Sequence, residues 1–134
     1  MSFNLEVGMT GRVDLVVEDK HSAANFGSGN VDVFATPMMV GLMENAAHAT
    51  VDKHLPEGHA TVGIQLEIRH LAATPIGMNV YAIAELVKQE GKKLSFKIEA
   101  FDDEEKIGSG THERYIIQLD PFIEATENKK QRNL

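Results

Sequence analysis

Residues 33–48 read V-F-A-T-P-M-M-V-G-L-M-E-N-A-A-H. Thr36 at a helix N-cap and Pro37 at the first helical position would satisfy an orphan N–H and pre-set φ, so this stretch predicts a helix from 37 to about 54. The apolar residues Met38, Met39, Val40, Leu42, Met43, Ala46, Ala47, Ala49 and Val51 cover more than one face. That predicts a central helix, with a sheet on its broad side and a second neighbour opposite. L-P-E-G at 55–58 supplies two breakers to end it. One residue resists this reading: Glu44, a carboxylate in the most apolar part of the helix.

On the N-terminal side, G-R-V-D-L-V-V-E at 11–18 is rich in β-branched residues and roughly alternates, as a first strand should. D-K-H-S-A-A-N-F-G-S-G-N at 19–30 has no period and reads as a long mobile loop, a lid candidate. On the C-terminal side the period becomes two. Residues 60–70 put Ile64, Leu66, Ile68 and His70 on one face, with Gln65, Glu67 and Arg69 on the other. Strands at 78–88 and 93–101 flank the turn E-G-K and form a hairpin, and 107–119 begins with glycines that allow a bulge. The order strand, loop, long helix, four strands predicts an α+β architecture, an antiparallel sheet wrapped around one buried helix, which is the hotdog arrangement. One domain over 1–125 is expected, with a polar tail at 126–134 that frays.

Composition narrows the function. The chain has 134 residues, 43% hydrophobic and 25% charged, and no apolar run of the ~20 residues that cross a bilayer. The start M-S-F-N-L-E-V-G has neither the basic nor the apolar region of a secretory signal, so a cytoplasmic location is the expectation. A net charge of −7 opposes nonspecific nucleic-acid binding. An anionic ligand would need local cations, for which Arg69, Arg114, Lys92 and Lys93 are candidates, or a helix N-terminus. The absence of cysteine removes thiolate catalysis and thiolate metal sites. H-E at 112–113 lacks a second histidine four residues on, and His54 with His59 lacks carboxylate support, so no metal is expected. Phosphate-loop, nucleophile-elbow and dinucleotide motifs are missing.

Thr36, Glu44 and His70 remain. Each has a structural explanation: Thr36 as an N-cap, Glu44 in a solvated stripe with His48 and Asp52 at i, i+4 and i+8, and His70 as a strand-end histidine satisfied by backbone. Together they also supply a hydroxyl, an acid and a base, the set that acyl transfer requires. Eight helical residues separate Thr36 from Glu44 by ~12 Å of rise and ~80° of rotation. The two cannot touch along one straight helix, so either His70 bridges them or a second subunit contributes.

V-F-A-T…M-V-G-L-M-E at 33–44, T-V-G at 61–63, H-L-A-A-T-P at 70–75 and I-G-S-G-T-H-E-R at 107–114 resemble the fluoroacetyl-CoA thioesterase family of hotdog-fold proteins, over about residues 31–125. The resemblance implies a homodimeric, or larger, acyl-CoA thioesterase with Thr36, Glu44 and His70 as its triad. It places Gly63 at the thioester carbonyl and Arg114, Phe34 and Phe26 in substrate binding. It implies no cofactor beyond the CoA of the substrate. The loop F-G-S-G-N-V-D at 26–32 departs from the aromatic lid of fluoroacetyl-handling members, so the reaction transfers and fluorine selectivity does not. A hotdog hydratase or dehydratase is the competing enzyme, and a non-catalytic acyl-CoA-binding protein the competitor from another class.

Overall fold

The computed structural model describes residues 3–133, so Met1, Ser2 and Leu134, which belong to the start and the tail considered above, lie outside the described residues. The strands are β1 (Thr10–Val16), β2 (His59–His70), β3 (Asn79–Glu90), β4 (Lys93–Asp102) and β5 (Lys106–Gln118), and the helices α1 (Ala23–Phe26), α2 (Thr36–Val51) and α3 (Leu119–Arg132). All five strands pair antiparallel in the order β1-β3-β4-β5-β2. Alternation dictates which side of the sheet is covered. Val80, Ala82, Ala84 and Leu86 of β3, and Leu94, Phe96, Ile98 and Ala100 of β4, are buried beneath α2. From the helix come Met39, Leu42, Met43, Ala46, Ala47 and Val51. This is the α+β hotdog architecture expected from the element order.

The helix lies close on β1. A Cβ at Gly11 would stand 2.9 Å from the Ala46 carbonyl oxygen and collide with the Thr50 hydroxyl, so only glycine permits this approach. Because α2 sits over β1 and β3, the far side of the sheet is thinly covered: β2 is an edge strand with Ile64 51% and Leu66 41% exposed. A register shift between Gly63 and Gln65 puts a bulge at Ile64, while Leu66, Ile68 and His70 keep the same side as His112, Gly110 and Gly108 opposite them.

Three expectations are corrected. Helix α2 begins one residue early: Ala35 is the N-cap and Thr36 is already helical, so the Thr36 hydroxyl is not a cap. The segment 19–30 is not a free loop, because Asp19–His21 forms a 3₁₀ turn and Ser22 caps α1 by accepting from the Asn25 amide at 3.1 Å. Backbone bonds from Ala23 to Val33 (2.8 Å) and Ala24 to Val31 (3.2 Å) then tie the segment back on itself. The C-terminal stretch expected to fray is helical through Arg132, with Pro121 in the first turn of α3, where a missing N–H costs no intrahelical bond. Among the described residues, no helix is long and apolar enough to cross a membrane.

Candidate active site

The first turn of α2 and the last residue of β2 meet at one point. The Thr36 hydroxyl is 2.7 Å from His70 Nδ1, beside a cavity of about 400 Å³ lined by Ser28, Phe34, Thr36, His70 and Leu71–Ala73. Local chemistry sets both groups. Pro37 follows Thr36 and fixes the helix start, and Phe34 is clamped behind it, its amide donating to the Thr74 carbonyl at 2.9 Å. The Thr74 hydroxyl in turn donates to Asp102 at 2.8 Å, so the T-P turn after His70 is pinned to the turn after β4. Burial pushes the His70 imidazole below the ordinary histidine value, against a weaker pull from the Ala72 carbonyl. A neutral His70 can take the Thr36 proton on Nδ1, which leaves the hydrogen on Nε2. That Nε2 is buried and has no hydrogen-bond partner among the described residues.

Glu44 is elsewhere. Its Oε2 is 3.9 Å from Arg114 Nη1, and a Cβ built on Gly63 would come within 2.9 Å of Oε2. Gly63 and His70 are seven residues apart on one strand, ~23 Å at ~3.3 Å per residue. One chain therefore holds two separate groups of candidate residues, Thr36 with His70 and Glu44 with Gly63 and Arg114. The Arg114 guanidinium is buried, its Nε donating to the Thr61 hydroxyl at 2.7 Å and its Nη2 to the Thr61 carbonyl at 2.8 Å. The Thr61 hydroxyl donates to Asp52 at 2.6 Å. Burial lowers the Arg114 pKa and the charges of Asp52 and Glu44 oppose it.

The other sequence candidates fall apart from these two places. Phe34 is 1% exposed and lines the Thr36 cavity, whereas Phe26 is 52% exposed on α1 and does not. Arg69 is exposed on the outward face, Lys93 pairs with Glu90 and Glu113, and Lys92 borders a separate cavity of about 330 Å³ with Phe3 and His59. Among the described residues, no three His, Cys, Asp or Glu side chains gather as a metal site would require. Sequence reasoning named Thr61, Asp52 and His112 in passing but gave none of them a place in the site. The available signal was period two: Thr61 precedes Gly63 by two residues and His112 precedes Arg114 by two, on the same inward faces.

Fold and site define a hotdog protein of the thioesterase kind. Its structure resembles a hypothetical protein of Thermus thermophilus described as a thioesterase superfamily member (TM-score 0.87, 29% identity, 95% of this chain and 94% of that one). It also resembles the fluoroacetyl-CoA thioesterase FlK (TM-score 0.88, 36% identity, 94% of this chain and 98% of that one). A curated fluoroacetyl-CoA thioesterase of Streptantibioticus cattleyicolor is 45% identical over 91 residues, 68% of this chain. That match spans 66% of the relative's length, just under two thirds. Residues 17–120 match the fluoroacetyl-CoA-specific thioesterase family, and the chain belongs to that family of thioester hydrolases.

Proposed function

We propose that the protein hydrolyses short-chain acyl-CoA thioesters at sites shared between two copies of the chain, Thr36 and His70 from one and Glu44 with Gly63 from the other. The observation that carries this reading is the 2.7 Å Thr36–His70 contact joined to a buried His70 Nε2 that has no acceptor among the described residues. A carboxylate is the natural acceptor, and the chain's own Glu44 is out of reach. The exposed edge of β2, with Ile64, Leu66 and Leu71 (52% exposed), supports self-pairing. Antiparallel pairing of β2 with itself about a two-fold axis between Leu66 and Glu67 sets Gly63 of one copy opposite His70 of the other. Glu44 travels with Gly63, so the same operation brings it to the open Nε2.

In this site His70 Nδ1 takes the proton from the Thr36 hydroxyl, or from a water that the hydroxyl orders, as oxygen attacks the thioester carbonyl. The new C–O bond forms while the carbonyl electron pair moves to oxygen, where the Gly63 N–H of the second copy can donate to it. Glu44 holds the Nε2 hydrogen and stabilises the imidazolium. Collapse of the tetrahedral species breaks the C–S bond, and the imidazolium returns its proton to the CoA sulfur; where Thr36 itself attacked, a water deprotonated by His70 then adds to the acyl-Thr36 ester, whose C–O bond breaks as His70 returns the proton to the Thr36 oxygen and the acid leaves. A crystallised variant of FlK holds fluoroacetate and CoA (37% identity, TM-score 0.83), which supports an acyl-CoA at this site. The exposed Gly27–Asp32 loop carries no aromatic side chain to enclose a small halogenated acyl group. Acyl size rather than fluorine therefore sets preference here.

Thiol release from acetyl- through long-chain acyl-CoAs, with fluoroacetyl-CoA beside acetyl-CoA, tests the reading. Turnover of short acyl chains without strong fluorine preference is expected. Release of an enoyl or 3-hydroxyacyl product without free CoA would replace hydrolysis by hydration, and tight binding with no product would make the protein a carrier.

A further inference from the structure

One buried titratable side chain next to Glu44 has no part in the reaction above. His112 is fully buried on β5, its ring against Phe96 with centroids 6.2 Å apart. Its Nδ1 is 2.7 Å from the Gln65 carbonyl oxygen, and its Nε2 is 3.2 Å from Arg114 Nη1. A carbonyl can only accept and a guanidinium can only donate, so both contacts exist together in one state alone, the neutral ring with hydrogen on Nδ1 and a bare Nε2. Each contact ends on part of the Glu44 half-site. Gln65 closes the bulge that begins at Gly63, and Arg114 Nη1 is the nitrogen that faces Glu44. The ring itself would stand 3.2 Å from a Cβ at Gly63, so it also limits where that backbone can move.

We propose that His112 is a positioning residue, a tautomer lock that holds the Gly63 bulge and the Arg114 guanidinium at a fixed spacing and thereby sets Glu44 relative to the oxyanion donor. The proposal rests on the thioesterase reading of Glu44 and Gly63. The charged groups around the ring are Glu44 from α2, Arg114 from β5 and Asp52, which reaches Arg114 through Thr61 from the turn after α2; β4 offers only the Phe96 ring and β2 the Gln65 carbonyl. Burial holds His112 below the ordinary histidine value, with Arg114 adding to burial and the Gln65 carbonyl and Glu44 opposing it. Protonation would remove the acceptor that Arg114 uses and set a second cation beside it.

Three variants separate the two contacts. His112→Gln can place an amide oxygen where Nε2 accepts from Arg114, His112→Asn can place an amide N–H where Nδ1 donates to Gln65, and His112→Phe keeps the ring volume with neither. All three are expected to lower the thermal midpoint, because each leaves a buried group unpaired. In the assay, Phe and Asn should lose kcat about 10- to 100-fold with KM little changed, the size found when a group that orients a metal ligand is lost, while Gln, which keeps the acceptor for the arginine nitrogen facing Glu44, recovers most of that loss. If kcat instead tracks the thermal midpoint, with Gln no better than Asn, the positioning role is overturned. Nitrogen-15 NMR of the wild-type ring judges the lock without turnover. A bare Nε2 at neutral pH is expected, and an Nε2–H tautomer, or a His112 that titrates at the ordinary histidine value, overturns it. A wild type inactive on every acyl-CoA removes the thioesterase reading, and with it the positioning role.

Discussion

His70 Nδ1 lies 2.7 Å from the Thr36 hydroxyl, and burial holds the imidazole below the ordinary histidine value of 6.5, which favours the neutral ring that a base requires. In the proposed reaction the active form is the unprotonated one. Hence kcat/KM should be flat above about pH 7 and fall as the pH drops, with its midpoint below 6.5; a midpoint above 6.5 would count against His70 as the base. Thr36→Ala and His70→Ala should each reduce kcat/KM by roughly 10²–10⁴ while the fold persists, checked by thiol release and circular dichroism together. The chemistry of one side chain does not name its partner. Thr36 has the chemistry of an N-cap, but Ala35 takes that place and the hydroxyl is left for His70. Nothing local in A-T-P-M distinguishes the two arrangements, because the choice depends on a strand 34 residues away.

Among the elements, the turns around the Thr36 half-site depend on one buried carboxylate. Asp102 accepts from the Glu104 and Glu105 amides at 2.8 and 2.9 Å and from the Thr74 hydroxyl. Burial acts to raise its pKa, yet these hydrogen bonds outweigh burial and hold it below the ordinary value of 3.8. A depressed folded pKa means that its stabilisation is complete above 3.8 and is lost as the pH falls through the folded value. Asp102→Ala should therefore cost about 1.5–3 kcal/mol at pH 7 by urea unfolding. The gap from wild type should shrink at acid pH; a constant gap would assign the effect to packing. Strand and hairpin positions were legible in the sequence because one side of each strand is buried, which stamps period two on residues 93–101. The tie of 19–30 into a 3₁₀ turn and α1 was not legible, since its bonds run to Val31 and Val33 rather than within a periodic pattern.

For the whole molecule, the proposed function makes catalysis a property of a pair of chains, and that can be tested directly. In a mixture of Thr36→Ala and Glu44→Gln subunits, a mixed dimer regains one intact site, with Glu44 from the first and Thr36 with His70 from the second. Random reassortment of inactive parents should therefore restore about a quarter of wild-type activity. No recovery, after mass spectrometry has confirmed mixed dimers, would place each triad within a single chain. Ile64→Glu, on the exposed bulge of β2, should shift sedimentation toward the monomer and lower activity together.

By itself, the sequence determined the α+β order, the central helix, the pairing of the long hairpin and the identity of the residues that can do chemistry, because periodicity and side-chain type are local properties. It also carried the spacing of eight residues between Thr36 and Glu44, which ruled out their contact along one helix. Only the tertiary structure decided which groups meet. Thr36 pairs with His70, Glu44 lies with Arg114 against Gly63, and His112 joins that arginine to the bulge. The reason is physical: such contacts are fixed by strand register, a bulge and the angle at which α2 crosses the sheet, and these depend on the packing of all the elements at once.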